Sequence, residues 1–403
     1  MPQPDLDAFR SEVRAYIEHH GPAGLRGTRK GRFDGWWGGQ KGAPRTEDQR
    51  TWFEAMLARG WTAPTWPTEY GGGGLSHGEA VVLDEELARL KLPPALVGFG
   101  LTMIGPTLLD YGTAEQKAQH LPGIVSGDAR WVQGYSEPAA GSDLAALATS
   151  AIPDHSGPEP VFVVNGQKIW TSHADKGDWI FCLVRTNTEV KKQAGITFLL
   201  IDMATPGMTI RPIALISGAS PFCEVFLEDV RVPMANVVGT VDAGWTVAKA
   251  LLGYERAMVG EAMGGQVRGA EAVLVSRART ALDAPSGPLP EPELRASIAQ
   301  AAIDEQAFRW TTQRISEEAR KRGAPGPESS VLKVLGSELK QRRWELAVEA
   351  AGLDGLGWEG PGFEDEDLAA TREWLRSRAN TIEGGSTEIQ LNIIAQRVLG
   401  LER

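Results

Sequence analysis

Residues 165–179, NGQKIWTSHADKGDW, follow the run of β-branched and apolar residues PVFVV at 160–164. Because Asn-Gly between apolar runs is typical of a tight β-hairpin, the sequence predicts a strand, a turn at Asn165 and Gly166, and a second strand. The second strand would place Trp170 beside the hydroxyl groups of Thr171 and Ser172. An indole next to two hydrogen-bonding groups suits a flat heteroaromatic ligand, and a core tryptophan among ordinary strand residues is an equally good interpretation.

The alternation of short apolar runs and turns extends from about residue 130 to 238, through WIFCLV, GITFLLIDM and CEVFLEDVRVP. Helical periodicity surrounds this region on both sides. The first helix would begin after a cap at Asp5 and end at Gly21. Four long apolar-striped segments at the other end indicate a helical bundle, and they cover residues 244–278, 292–321, 329–351 and 387–400. The sequence therefore predicts an α+β fold with a helical domain at 1–128, a β domain at 129–239 and a helical bundle at 240–403.

A second segment with chemical potential precedes the predicted hairpin, at residues 131–149, WVQGYSEPAAGSDLAALAT. Its small and hydroxyl residues would expose several backbone N–H groups in one turn, which can hold a polar ring edge or a phosphate. The alternative is a surface turn in which Ser142 and Asp143 cap a short helix. Composition alone favours that alternative, because turns rich in Gly and Ser are common.

The bulk composition excludes several classes of protein. The 403 residues carry a formal net charge of −11, which argues against a nucleic-acid surface. The N-terminal sequence lacks the pattern of a signal peptide, and no apolar run is long enough to span a membrane. Cys182 and Cys223 lie in apolar strand-like runs and are predicted to be reduced core residues of a cytoplasmic protein. The six histidines and two cysteines form no metal-ligand spacing, so metal catalysis is set aside.

Taken together and in order, these segments resemble the acyl-CoA dehydrogenase family. The family carries a TEPxAGSD-like loop and an NGxKxWITN-like hairpin, which read SEPAAGSD and NGQKIWTSH here. WPTEYGGGG, EELAR, FLEDVRVP and EIQLNIIAQRVLG extend the resemblance over nearly the whole chain. The resemblance implies a helical domain, a β-barrel-like domain and a four-helix bundle. It also implies an FAD-dependent enzyme that removes hydrogens from C2 and C3 of an acyl-CoA.

The resemblance assigns a set of cofactor-binding residues. Backbone groups around Gln133 to Ser136 would meet the pyrimidine edge of the flavin, and Ser142 would contact the phosphates. Donors at the pyrimidine edge and at N5 stabilise the reduced flavin, where negative charge develops. The full set implied for FAD is Gln133, Tyr135, Ser136, Gly141, Ser142, Trp170, Thr171, Ser172, Gly385, Ser386 and Glu388.

Two glutamates compete for the role of catalytic base. In AKALLGYERAMVG, Glu255 has Leu251, Leu252, Met258 and Val259 as helical neighbours, and burial among apolar groups raises a carboxyl pKa. A structural ion pair with Arg256, or a glutamate that extends to solvent at the edge of the bundle, would produce the same pattern. The other candidate is Glu383, in TIEGGSTEIQ at 381–390.

The resemblance favours Glu255 over Glu383. Most family members place the base in a loop before the last helix, and alignment of the common tail puts that position on Gly384. A minority, similar to isovaleryl- and long-chain acyl-CoA dehydrogenases, place the base in the first bundle helix, in a Glu-Arg pair that matches Glu255 and Arg256. A one-residue shift of the alignment would restore Glu383, which remains the alternative.

The same alignment implies two substrate-binding residues and a helix start. The backbone N–H of Gly384 would polarise the thioester carbonyl, and Arg256 would lie near the CoA moiety. The spacing of Thr387 and Gln390 predicts a capping box at the start of the last helix.

Two motifs of the family are missing. The RxxFG motif is absent from ARTALDAPSGPLPEPE, and QxxGGxG is replaced by VEAAGLDGLG. In the family both motifs hold the adenosine half of FAD across a dimer interface. In this respect the chain resembles the subunits of α₂β₂ assemblies. The resemblance to the family implies an acyl-CoA and an electron-transfer flavoprotein as partners, and the missing motifs leave open whether the other subunits are identical chains or a second type of chain. A flavin oxidase or monooxygenase and a half-site partner subunit are the alternatives.

Overall fold

The computed structural model describes residues 5–29, 34–265, 270–322 and 326–402. These residues form two compact units. The N-terminal unit comprises the chain up to residue 213 together with 221–255, and the C-terminal unit comprises 214–220 together with the chain from 256 onwards. The three domain ranges expected from the sequence stay a prediction.

The N-terminal unit begins with five α-helices: α1 (Leu6–His20), α2 (Glu47–Ala58), α3 (His77–Arg89), α4 (Gly105–Tyr111) and α5 (Ala114–Val125). The Asp5 carboxylate accepts hydrogen bonds from the backbone of Asp7 and Ala8, and the N–H of Gly21 closes α1 on Ile17 O, as predicted. Capping boxes at Ser76 and Thr113 start α3 and α5. Indole and aliphatic side chains from α1, α2 and α3 pack into one core.

A seven-stranded sheet completes the N-terminal unit: β1 (Trp131–Gly134), β2 (Ser150–Asp154), β3 (Val161–Ser172), β4 (Trp179–Arg185), β5 (Ile196–Asp202), β6 (Met208–Ile213) and β7 (Phe222–Pro233). The strand order is β1-β4-β2-β3-β7-β6, and β5 pairs with β4. β1 runs parallel to β4, whereas β3 runs antiparallel to both β2 and β7. Cys182 and Cys223 are free and buried in the sheet core, as predicted.

The predicted Asn-Gly hairpin is wrong. Asn165 and Gly166 lie inside the continuous strand β3, at a bulge where the register against β7 shifts. The Asn165 side chain bonds Asp229 twice, through its amide to the carboxylate (3.0 Å) and through its oxygen to the backbone N–H (2.9 Å). A Cβ on Gly166 would lie 2.5 Å from Thr149 Oγ1, so the glycine permits the close approach of a neighbouring segment instead of a reversal of the chain.

The C-terminal unit is helical. α6 (Gly244–Gly265) enters it from the N-terminal unit, and α7 (Ala270–Ala281), α8 (Pro292–Arg322), α9 (Ser329–Ala350), α10 (Asp365–Ser377) and α11 (Thr387–Ile393) follow. α9 packs against α7, α8, α10 and α11. The sequence analysis missed α10, and it predicted a long helix at 387–400 where α11 has 7 residues and continues as a π-helical turn. The four-helix bundle is therefore completed by α10, while the predicted helical order is otherwise confirmed.

One buried carboxylate joins α1 to α3. Glu86 is 2% exposed and accepts hydrogen bonds from Arg10, Arg14 and Arg89. The bond from Arg14 is the largest cause that lowers the pKa of Glu86, from 4.5 to about 2, against the opposing effect of burial. The folded protein therefore binds the proton of this group less readily than the unfolded chain does.

Acid should weaken the N-terminal unit through Glu86. Because the pKa of Glu86 is lowered in the folded protein, its contribution to stability is complete above pH 4.5 and is lost as the pH falls towards 2. The contribution is at most about 3 kcal/mol, and solvent screening at the half-exposed arginines makes it smaller. We expect the difference in melting temperature between wild type and Glu86→Gln to be large at pH 6 and to shrink below pH 4.5. Glu85→Gln, which removes a carboxylate that pairs with Arg10 and is 53% exposed, is the control and should change little.

Among the described residues, no helix is both long and apolar enough to cross a lipid bilayer.

Candidate active site

The structure brings together the two segments that sequence analysis singled out in the β region. β1 ends at Gly134, and the loop that follows runs beside β3, where the N–H of Ile169 donates to Ser136 O at 2.9 Å. Tyr135 is buried, while Gln133 and Ser136 are half-buried. The ends of these two segments therefore share one surface of the N-terminal unit.

Trp170 is the most unusual residue of this surface. Its φ of 61° lies in the left-handed region, which bulky L-residues rarely adopt, and its side chain is 53% exposed. A register shift between Lys168 and Thr171 marks a second bulge in β3, and the ring of Phe222 meets the indole edge-to-face at 6.1 Å. An exposed indole held in a strained backbone favours a ligand-binding role over the alternative of a core tryptophan.

Hydroxyl groups follow Trp170 directly. Thr171 is 1% exposed, and its Oγ1 is buried with no hydrogen-bond partner among the residues that the structure describes. Ser172 is half-buried and pairs with Phe222 at the end of β3. Because an unsatisfied buried hydroxyl is costly, a polar ligand at this surface would remove a penalty that the protein alone leaves.

The chain then turns at His173, whose φ is 55° and whose N–H donates to Pro221 O at 2.8 Å. Burial and the charge of Arg130 lower the pKa of His173. Its ring packs against Trp37 at 5.3 Å, and Trp37 in turn meets Phe99 at 5.5 Å. Trp37 and Phe99 line a small cavity with residues 96–101 and 129–131. Residues 96–101, in the stretch before α4, thus adjoin the Trp170 surface.

The SEPAAGSD loop leaves Gly141 and Ser142 exposed. Asp143 precedes a short 3₁₀ turn at Leu144–Ala146 but forms no side-chain cap. Its carboxylate instead pairs with Lys192 at 2.6 Å. The alternative of a helix-capping turn is therefore wrong in its detail, and the exposed Ser142 stays a prediction as a phosphate contact.

A buried ion pair beneath this surface was missed by sequence analysis. Lys168 is 0% exposed, and its ammonium donates to Glu137 Oε1 and Leu183 O at 2.7 Å each and to Tyr135 O at 3.3 Å. Glu137 also accepts from the N–H groups of Ala148 and Thr149, at 2.6 and 2.9 Å. Burial acts to raise the pKa of Glu137, but the charge and hydrogen bond of Lys168 outweigh it, and the net pKa is lowered. The sequence offered one indication of this pair: Lys168 and Glu137 lie inside the two motifs, close to apolar residues of the strands.

The predicted base lies in α6, but the side chains of Glu255 and Arg256 are outside the part that the structure describes. The turn that precedes them is described. Leu251 is fully buried, and the Tyr254 hydroxyl donates a hydrogen bond to the carboxylate of Asp110 in α4. Burial first, and then this carboxylate, raise the pKa of Tyr254 to about 12, so the phenol stays neutral. The turn of α6 that precedes Glu255 is therefore held in place by the burial of Leu251 and by the hydrogen bond of Tyr254.

The competing acid, Glu383, is engaged elsewhere. Arg376 Nη2 lies 2.7 Å from its carboxylate, and the Asn380 side chain donates to it as well. Gly384 and Gly385 follow with φ of 62° and 88°, both in the left-handed region. Ser386, not Thr387, caps α11 by accepting from Ile389 N, so the predicted capping box is wrong by one residue. Gln390 uses its amide to hold Gly384 O at 3.2 Å instead.

Lys333 on α9 is a further residue that sequence reasoning missed. It is 7% exposed, and among the described residues its Nζ has no hydrogen-bond partner. Burial lowers the pKa of this ammonium, and the charges of Glu383 and Glu388 oppose that effect. Within the C-terminal unit, the buried ammonium of Lys333 is therefore close enough to Glu383 and Glu388, on either side of the glycine loop at 384–385, for their charges to act on it.

Comparison with known proteins covers the whole chain. Three models of the acyl-CoA dehydrogenase family match it: the N-terminal domain at residues 3–128, the middle domain at 133–230 and the C-terminal domain at 242–399. The acyl-CoA dehydrogenase IpdE1 of Mycolicibacterium smegmatis is 39% identical over 365 residues, with 89% of each chain covered. IpdE1 of Mycobacterium tuberculosis is 37% identical and covers 99% of this chain and 98% of its own.

Solved structures agree. A structure described as the Tcur3481-Tcur3483 steroid ACAD superposes with a TM-score of 0.75 at 30% identity, covering 100% of this chain and 99% of the other. The ChsE4-ChsE5 complex from Mycobacterium tuberculosis has a TM-score of 0.75 at 29% identity, with the same coverage. The predicted fold is thus confirmed.

Proposed function

This chain belongs to the acyl-CoA dehydrogenase family, and from that membership we propose that it dehydrogenates a bulky, steroid-derived acyl-CoA with Glu255 as the catalytic base. The family assigns the chemistry: the protein is an FAD-dependent oxidoreductase that acts on the C2–C3 bond of an acyl thioester. The observation that carries the site is Trp170, exposed at a φ of 61° beside the buried and unsatisfied hydroxyl of Thr171.

The residues present fit FAD. An exposed indole, an orphaned hydroxyl and the half-buried Ser172 converge at the end of β3, next to the loop after β1. These groups offer an aromatic wall and hydrogen bonds to a flat polar ring. Gln133, Tyr135, Ser136, Gly141 and Ser142 would hold the cofactor from the loop, and Gly385, Ser386 and Glu388 from the segment before and within α11. When bound, FAD supplies the acceptor for the hydride that leaves C3.

The chain's own residues supply the proton transfer. Glu255 takes the proton from C2, because a carboxylate in an apolar helix stripe has the basicity that a weak carbon acid requires. The engagement of Glu383 by Arg376 and Asn380 supports this choice, since a base must be free to accept a proton. The Gly384 N–H polarises the thioester carbonyl, and a glycine presents its N–H with no side chain in the way. Arg256 contacts the CoA moiety.

The substrate proposal rests on similarity and on one local feature. A related structure of 30% identity is described as a steroid ACAD. The local feature is the cavity beside the Trp170 surface, which Trp37, Gly98 and Phe99 help to line. Two aromatic walls suit a ring-containing acyl group better than a straight chain.

The proposed partners are an electron-transfer flavoprotein, which receives the electrons, and a second acyl-CoA dehydrogenase chain. The ChsE4-ChsE5 complex is a precedent for two different chains. The segment that replaces QxxGGxG exposes Leu353 and Leu356 at 83% and 76%, and large exposed apolar side chains favour contact with another subunit. A homo-oligomer is the alternative. A cytoplasmic location stays a prediction from the sequence.

Anaerobic bleaching of the bound flavin tests the proposal. We expect a steroid-derived acyl-CoA to bleach the yellow protein, alone or together with its partner chain, and an octanoyl-CoA control to bleach it much more slowly. Bleaching by octanoyl-CoA alone would overturn the substrate class. Rapid formation of peroxide in air would favour an oxidase, and a chain that stays colourless until a partner is added would favour the half-site reading.

A further inference from the structure

We propose that Lys168 and Glu137 are positioning residues for the flavin: their buried ion pair sets the spacing between the loop after β1 and the bulge of β3. The inference deepens the proposed function and rests on it, because it concerns the same cofactor surface. Neither residue would touch the cofactor. Each would act through the backbone that does.

The Lys168 ammonium joins three separate segments. Its three bonds reach the Glu137 carboxylate and Tyr135 O in the loop and Leu183 O in β4, while its own backbone lies at the β3 bulge. An ammonium has three donors, and all three are used. Tyr135 belongs to the loop predicted to face the ring, and Trp170 lies two residues beyond Lys168.

Glu137 fixes the loop from its other end. Its carboxylate accepts from Ala148 and Thr149, where the chain leaves the loop for β2, and its backbone exchanges two hydrogen bonds with Ala140. The turn at 136–139, the end of the loop at Ala148 and Thr149, and the β3 bulge are therefore all bonded to the Lys168–Glu137 ion pair. A change in that pair is expected to move all three.

Stability alone is a weak reason for such a pair. Replacement of a buried ion pair by apolar residues of similar volume is often neutral or stabilising, because desolvation offsets the attraction. The pair does, however, impose one geometry, since a charged network this deeply buried has few alternative arrangements. Geometry is also what the strained Trp170 backbone needs from its surroundings.

The experiment compares four proteins: Lys168→Met, Glu137→Gln, the double variant Glu137→Leu/Lys168→Met, and Lys192→Met. Lys192 forms the exposed pair with Asp143 on the same loop and is the matched control. The readouts are the dissociation constant of FAD, by quenching of flavin fluorescence, the flavin absorption spectrum and the melting temperature. The chain is measured together with its partner if it holds flavin only in the complex.

We expect the double variant to fold with a lower melting temperature, because the N–H groups of Ala148 and Thr149 lose their acceptor. At temperatures well below that transition it should bind FAD at least about tenfold more weakly with a shifted flavin spectrum, because supporting residues control a site's geometry. Glu137→Gln, which keeps the shape of the side chain, should show the same direction, and Lys192→Met should match wild type. A double variant with unchanged affinity and spectrum would overturn the inference and leave the proposed function intact. A wild type that binds no FAD in any assembly would overturn both.

Discussion

Glu255→Gln should retain its flavin and bind acyl-CoA but lose bleaching by substrate, with a reduction rate lower by about 10²–10⁴-fold. The amide keeps the shape of the side chain and removes its basicity. Since hydride leaves C3 only as the proton leaves C2, loss of the base stops both. The rate is measured by stopped-flow absorbance under anaerobic conditions.

Glu383→Gln is the matched control for this result. Its carboxylate pairs with Arg376 at 2.7 Å and accepts from Asn380, so we expect a change of less than about tenfold, arising from a loosened loop. If Glu255→Gln were reduced at the wild-type rate and Glu383→Gln were not, the base would be Glu383. Retained acyl-CoA binding, followed by the shift of the flavin spectrum, separates lost chemistry from lost structure.

Gly384→Val should lower kcat by about 10²–10³-fold, the loss typical of removing one donor to a developing oxyanion. Gly384 has a φ of 62°, where a β-branched residue is strained by roughly 1–3 kcal/mol. Relief of that strain would rotate the backbone and turn the N–H away from the carbonyl. Gln390, which holds Gly384 O at 3.2 Å, would lose its bond in the same movement.

Gly384→Asn is the control, because asparagine tolerates the left-handed region better than other residues with a side chain. Apart from its two chain neighbours, no described residue has a heavy atom within 4 Å of the position that a Cβ on Gly384 would occupy, so steric overlap with the surroundings does not explain a difference between the two variants. We expect the asparagine variant to keep far more activity than the valine variant. Equal losses would show that the open space, and not the N–H direction, is what matters at this position.

Much of the fold could be predicted from local sequence. Asp5, Ser76 and Thr113 cap helices through side-chain bonds made within three residues, so no distant information is required. The apolar run around Cys182 forms the buried strand β4, because a strand covered on both faces is apolar throughout. The strand around Cys223, β7, instead alternates buried apolar residues with more exposed ones, as expected of a strand covered on one face. The errors have a common cause. Asn165 and Gly166 carry a turn composition, but pairing with β2 and β7 extends the strand through them.

The helix α10 shows the same limit from the other direction. Its segment, DEDLAATREWLRS, is strongly polar, and a surface helix with a narrow apolar stripe is easily read as loop. Only packing against α9 makes it part of the bundle. The shift of the α11 cap from Thr387 to Ser386 arises because Gln390 bonds the glycine loop instead of the cap.

By itself, the sequence determined the family, the order of helical and β regions, and the cofactor class, because those depend on motifs whose residues are contiguous. Tertiary structure decided which side chains surround these motifs and what each of them can contact. It buried Lys168 against Glu137, exposed Trp170 in a left-handed backbone, and occupied Glu383 with Arg376. Those outcomes depend on burial and on partners distant in the chain, and a carboxylate or an ammonium takes its role from such surroundings more than from its neighbours in sequence.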